Sequence, residues 1–181
     1  MRYQVVGAIA GLLIIISIII YWIMRRKRKA ELEKELRSKG VFNRPAYPYR
    51  LRECDKYGCG HFGAPRGRKN HRKSHQGLDI SMAKGQKVFS PIDGKVVRKA
   101  HPYADDLSWS GILIKGTGRF SGVSVKVFYM EPTIAIGETV SKGDTIGKAQ
   151  DIGGRYPGIT PHIHLELRLA GLVVDPKPYF S

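Results

Sequence analysis

His162-Ile-His-Leu-Glu-Leu-Arg-Leu169 is the stretch that decides the fold. Polar and apolar residues alternate strictly along it, and successive side chains of a β-strand point to opposite faces. His162, His164, Glu166 and Arg168 therefore share one face, with Ile163, Leu165, Leu167 and Leu169 on the other. Working outward, the chain keeps producing short apolar runs bounded by Gly or Pro: K-V-F-S-P-I-D-G-K-V-V, G-I-L-I-K-G, V-S-V-K-V-F-Y and G-E-T-V-S-K-G-D-T-I-G. Asp93-Gly94 inside the first of these has the composition of a two-residue hairpin turn. No helical period of useful length follows residue 40, and no repeat of solenoid length appears. The pattern predicts one antiparallel all-β domain over residues 54–181, a sandwich or partly open barrel.

The N-terminal segment is different. Val5 to Met24 contains no charged residue, and at about 1.5 Å per residue it reaches across the roughly 30 Å of a bilayer's hydrocarbon core. Tyr3, Tyr21 and Trp22 lie at its ends, where amphipathic rings favour the membrane interface. A cleavable signal peptide would carry a shorter apolar core, a small-residue cleavage site and a more basic start than Arg2 alone. The reading is a transmembrane anchor over residues 1–24. Residues 25–53 read as a basic helical stalk and proline-rich linker. The stalk has Glu33 and Arg37 at i,i+4, and Leu32 and Leu36 give it too little apolar content for a core element. Pro45 and Pro48 set the linker extended.

Topology is contested within the sequence. Arg25, Arg26, Lys27, Arg28 and Lys29 follow the apolar run, and the positive-inside rule then puts the domain in the cytoplasm. Cys54 and Cys59 argue for the other side, because two cysteines bracketing a short loop without C-x-x-C partners suit a small disulfide in an oxidising compartment. Two unrelated thiols are the alternative.

Net charge is +16, with the densest basic run at Arg66-Gly-Arg-Lys-Asn-His-Arg-Lys73. Such a run suits a solvated loop or contact with an anionic polymer or membrane surface. Nucleic acid ranks low as a partner, since no aromatic-basic interleaving and no groove-reading element accompanies it.

Four side chains carry the chemistry. His75 and Asp79 lie in H-Q-G-L-D, and His162 and His164 in H-I-H. Imidazole and carboxylate are ligands of tetrahedral zinc, and three protein ligands leave one position for water. Three ligands and a surplus histidine are present. In a flat strand His75 and Asp79 would stand about 13 Å apart, too far for one ion, but Gly77 permits a bend. His162 and His164 share a face about 6.5 Å apart, so one can bind a metal while the other reaches water.

H-Q-G-L-D-I-S-M-A-K-G-Q-K-V-F-S-P-I-D-G-K-V, G-E-T-V-S-K-G-D-T-I-G and T-P-H-I-H-L-E-L together resemble the lysostaphin/LytM-type zinc metallopeptidases, over roughly residues 70–170. The resemblance implies the LytM (duplicated hybrid motif) fold. It implies one Zn2+ ion held by His75, Asp79 and His164, His162 as general base or acid, and cleavage of peptide bonds in cell-wall peptidoglycan. On that substrate the domain would be extracytoplasmic, in the periplasm or at the cell surface. One departure stands out: the family's Y-x-H histidine is missing at Met130-Glu131. C-D-K-Y-G-C-G, F-Y-M-E-P and Y-P-G-I-x-x-H-x-H look like the leukocyte cell-derived chemotaxin branch, whose members keep zinc and act as secreted signals. A zinc-binding module that recognises glycan, peptide or protein without cutting is therefore the rival. Of the other histidines, His61 and His71 suit surface positions or a replacement imidazole, and His101 suits a turn. Glu166 suits either orientation of a metal ligand or plain exposure.

Overall fold

The computed structural model describes residues 2–37, 42–67 and 73–180, with side chains from Gly11 onward. Among the described residues one α-helix, α1 (Arg2–Arg37), precedes twelve strands. These are β1 (Pro65–Arg66), β2 (Lys73–Ser74), β3 (Leu78–Ser81), β4 (Lys87–Phe89), β5 (Gly94–Lys99), β6 (Gly111–Gly116), β7 (Val123–Phe128), β8 (Met130–Pro132), β9 (Thr139–Val140), β10 (Thr145–Ala149), β11 (His162–Leu169) and β12 (Leu172–Val174). Every strand pairing is antiparallel. Strands β12-β11-β7-β6-β5-β9 make the main sheet, with β3 beside the N-terminal half of β11. A three-stranded sheet, β4-β10-β8, packs with it. The main path is open at both ends, so among the described residues no closed barrel forms.

The alternation in β11 sorts its side chains as a two-faced strand requires. Ile163, Leu165, Leu167 and Leu169 are fully buried, and they meet Val125 and Val127 of β7 in one core. Asp93-Gly94 does not join a hairpin: β4 pairs with β10, whereas β5 pairs with β6 and β9. Asp93 instead accepts the Lys142 N–H at 2.7 Å, and a Cβ on Gly94 would fall 2.6 Å from Lys115 O. Close strand approach, not turn geometry, explains this dipeptide.

The expected solvated stalk is part of the core. Leu32 and Leu36 share one face of α1 and are 1% and 2% exposed, packed within the domain's apolar cluster. Leu32 lies over Gly122, and the Arg25 Nε–H donates to Ala170 O at 2.7 Å. Phe42 and Asn43 are also docked. Phe42 packs against Phe120, Tyr179 and Phe180, and Asn43 N–H donates to Pro91 O at 3.0 Å. Two leucines one turn apart suffice when a complementary surface meets them.

Among the described residues, no helix is long and apolar enough to cross a membrane. The apolar belt whose side chains are described begins at Gly11 and meets Arg25, a length of about 21 Å against the roughly 30 Å needed. The span expected over Val5–Met24 starts outside those side chains.

Candidate metal centre and cleft

The β3–β11 register sets the site. Asp79 stands opposite His164, and Ser81 opposite His162. Gly77, just before β3, runs so close to β11 that a Cβ there would fall 2.2 Å from Leu165 O and 2.9 Å from His164 Cε1. The chain bends at this point, and His75 is held by backbone bonds to Ala64 O (2.9 Å) and from Gly63 N (2.8 Å). The bend removes the separation that a flat strand imposes. His75 Nε2 lies 3.0 Å from Asp79 Oδ1 and 2.9 Å from His164 Nδ1, and His164 Nδ1 lies 2.9 Å from Asp79 Oδ1.

These three atoms form a nearly equilateral triangle. Ligands about 2.0 Å from a tetrahedral ion stand about 3.3 Å apart, so a small contraction separates this triangle from one face of a zinc site. Tautomers fit as well. A carbonyl only accepts, so His75 Nδ1–H donates to His61 O at 2.7 Å, leaving the Nε2 lone pair for the triangle. His162 Nδ1–H likewise donates to Thr160 O at 2.6 Å, and its Nε2 lone pair lies 3.9 Å from Asp79 Oδ1. His75, Asp79 and His164 thus converge on one point, and His162 looks on from beside it.

Electrostatics follow from burial and these contacts. Burial alone would raise the Asp79 carboxyl, but its contacts with the His164 and His75 rings outweigh burial and hold it far below the usual carboxylate range. Burial lowers His164, yet Asp79 and Glu166 outweigh it and raise the ring. Burial lowers His162 below the ordinary histidine value, which favours the neutral ring with Nε2 unprotonated. Glu166 is not a surface residue. It accepts from Lys126 Nζ at 2.7 Å and lies 3.8 Å from His164 Nε2, and its carboxyl is held down to about 2 against the effect of burial.

Two partners of Asp79 escape a sequence reading. Arg52, 4% exposed, donates to Oδ2 through Nε (3.2 Å) and Nη2 (3.0 Å), and Arg66 Nη2 donates to the same oxygen at 3.0 Å. Oδ1 faces the histidines and Oδ2 faces two guanidiniums. Arg52 sits in an unpatterned extended segment with nothing local to mark it. Arg66 begins the basic run read as a polymer contact, of which residues 68–72, with His71, lie outside the described residues.

Cys54 and Cys59 are joined by a disulfide. The loop they close lies at the rim, where Tyr57 Oη–H donates to Pro157 O at 3.0 Å and its ring meets Tyr156 edge-on at 5.3 Å. The cleft has a volume of about 650 Å³ and is lined by the triad, His162, Phe128, Tyr103, Tyr129, Tyr156, Arg66 and Lys73. Met130 is buried in the core against Gly147, and Glu131 is exposed beside a different cavity. The described histidines that line the cleft are His75, His162 and His164. His61 contributes only its carbonyl, and His101 bonds Trp109 O elsewhere.

Residues 73–176 match the sequence profile of peptidase family M23. The chain is 34% identical over 117 residues to leukocyte cell-derived chemotaxin-2 of Bos taurus, covering 64% of this chain and 72% of that protein. A zinc-containing peptidase from Vibrio cholerae superposes with a TM-score of 0.58 at 25% identity, over 78% of this chain but only 40% of its own length. The catalytic domain of the antimicrobial peptidase lysostaphin from Staphylococcus simulans superposes with a TM-score of 0.55 at 21% identity, over 74% of this chain and 93% of that domain. The last likeness concerns the fold alone. A profile match across more than half the sequence, and a relative matched over most of its length, settle the lineage: the chain belongs to peptidase family M23.

Proposed function

We propose that this protein is a membrane-anchored zinc metalloendopeptidase that hydrolyses peptide bonds of cell-wall peptidoglycan. The observation that carries the reading is the triangle of His75 Nε2, Asp79 Oδ1 and His164 Nδ1, with the His162 Nε2 lone pair beside it. Zinc held by these three residues would lower the pKa of water toward about 7 and polarise a carbonyl. His162 takes a proton from the attacking water at Nε2 and delivers it to the leaving amine. Thr160 O fixes the tautomer this requires. Arg52 and Arg66 hold Oδ2, which leaves Oδ1 for the ion. Arg66 and Lys73 make the cleft attractive to the carboxylates of wall peptides. The zinc-containing Vibrio cholerae peptidase supports the choice of metal.

Anchoring rests on a second observation. Leu12 to Met24 project apolar side chains around the whole helix, Leu12 at 59% and Met24 at 65% exposure, and such an uncovered belt needs a lipid environment. With Val5 to Ala10 the uncharged run is long enough to span a bilayer. The disulfide supports an extracytoplasmic domain.

The test is digestion of peptidoglycan by the zinc-loaded protein, with mass spectrometry of the fragments. New peptide amines from the wild type, absent with His162→Ala, are the expected result. A wild type that releases none contradicts the enzyme reading. One observation favours a module that binds without cutting: Met130 and Glu131 bring no further imidazole to the cleft. Peptidoglycan retention without turnover is its signature.

A further inference from the structure

Phe128 and Tyr129 are consecutive, yet both line the cleft. A regular strand would send them to opposite faces. The break lies at Tyr129, whose φ of 62° is in the left-handed region that a bulky residue rarely adopts. It joins β7 to β8, and its consequences are local and specific. Phe128 stacks on His164 with ring centroids 5.9 Å apart, and Tyr129 meets His162 edge-on at 5.5 Å. Met130 turns into the core. Backbone strain of this kind concentrates where a side chain must be placed against the local pattern.

The Tyr129 hydroxyl belongs to a chain of three. Tyr129 Oη lies 2.9 Å from Tyr103 Oη, and Tyr103 Oη–H donates to Tyr156 Oη at 3.1 Å. The Tyr103–Tyr129 bond can run in either direction, so Tyr103 can turn its hydrogen from Tyr156 to Tyr129 without moving a heavy atom. Tyr129 then accepts from Tyr103 and has its own hydrogen free for an incoming oxygen, strengthened by polarisation along the chain. Burial pushes the Tyr129 phenol up, so it stays protonated at neutral pH. Of the guanidiniums nearest the triad, Arg52 binds Asp79 Oδ2 through Nε and Nη2, and Arg66 binds it through Nη2 while its Nη1 has no hydrogen-bond partner.

We propose that Tyr129 is a further catalytic residue of this cleft, donating a hydrogen bond to the oxygen of the scissile carbonyl as that oxygen becomes an anion. Tyr103 and Tyr156 are its positioning residues. The inference rests on the hydrolase reading above. As water adds to the carbonyl carbon, the π pair of the C=O bond moves onto oxygen, and Tyr129 shares its hydrogen without losing it. When the C–N bond breaks, the pair returns to re-form C=O, and the amine leaves with the proton carried by His162. A donor aimed at developing negative charge acts on the transition state more than on the bound substrate.

The experiment compares the zinc-loaded full chain in detergent with Tyr129→Phe, which keeps the ring and removes only the hydroxyl. Calorimetry gives the affinity for pentaglycine and for its phosphinic isostere, in which one peptide bond is replaced by an anionic tetrahedral P(O)(O⁻)–CH2 group. The kinetics of peptidoglycan digestion are followed in parallel. Tyr129→Phe is expected to weaken the phosphinic peptide roughly 100-fold, leave pentaglycine within twofold, and lower kcat about 100-fold with KM unchanged. Phosphinic binding within twofold of wild type overturns the role of Tyr129. So does a wild type that binds the phosphinic peptide no tighter than pentaglycine. A wild type that digests nothing removes the hydrolase reading, while the binding comparison still decides whether Tyr129 recognises a tetrahedral anion.

Discussion

Asp79 and His164 face each other across one rung of the β3–β11 ladder, with Oδ1 and Nδ1 2.9 Å apart. Sheet register, a property of the whole strand pair, thereby fixes a distance between two functional groups. A slip of one residue would send His164 to the core face and Ile163 or Leu165 to the cleft. The unbroken apolar face of β11 penalises that slip, so the hydrophobic pattern protects the His75–Asp79–His164 cluster.

Gly77→Ala tests how tightly this rung is held. The added Cβ would fall 2.2 Å from Leu165 O, so β3 must move away from β11. We expect a loss of about 1–3 kcal/mol of stability by urea denaturation and loss of tight zinc binding. A variant that binds zinc with wild-type affinity would show that the rung tolerates a shift.

Arg52→Met tests the outer side of the carboxylate. Its guanidinium fixes Asp79 Oδ2 from a buried position, and its removal leaves Arg66, among the described residues, as the remaining cation on that oxygen. Zinc affinity should fall about 10–100-fold, read by competition with a chromophoric chelator. Unchanged affinity would mean that Arg66 alone orients the ligand.

Asp55 gives a pH-dependent expectation. Burial raises its carboxyl, but the hydrogen bond from Arg52 and the N–H groups of Tyr57 and Thr160 together pull it below the usual range. A folded-state value below the unfolded one contributes stability that is fully present above the unfolded value, near pH ~4, and is lost as pH falls through the folded value. Asp55→Asn should therefore cost about 1–2 kcal/mol at pH 7, and the gap from wild type should close below pH ~4. Thermal unfolding of metal-free protein across pH 3–7 measures it, and a gap that stays constant or widens with acid would refute the pairing.

Leu32→Ala decides whether α1 belongs to the domain. Burial at 1% exposure predicts a loss of about 2–5 kcal/mol in urea unfolding of the β-domain. A solvated stalk would lose less than about 0.5 kcal/mol.

Much of this arrangement is legible in the sequence because it follows from period and spacing. The two-residue period of 162–169 gives the strand, its core face and its cleft face. Gly77 marks the bend that joins His75 to Asp79. What the sequence hides depends on tertiary contacts. Leu32 and Leu36 look too sparse for a core until Gly122 is brought beneath Leu32 and Arg25 ties the helix to Ala170. Asp93-Gly94 has turn composition but serves a strand crossing. Arg52 and Arg66 reach Asp79 from segments with no periodicity, and Tyr129 enters the cleft only through a backbone angle that its neighbours do not announce.

The most direct test of the metal centre is anomalous diffraction at the zinc edge from crystals of the zinc-loaded protein. One strong peak is expected about 2.0–2.2 Å from His75 Nε2, Asp79 Oδ1 and His164 Nδ1, with His162 Nε2 outside bonding distance. The absence of a peak among these three atoms, or a zinc ion bound through His162 in place of His164, would contradict it.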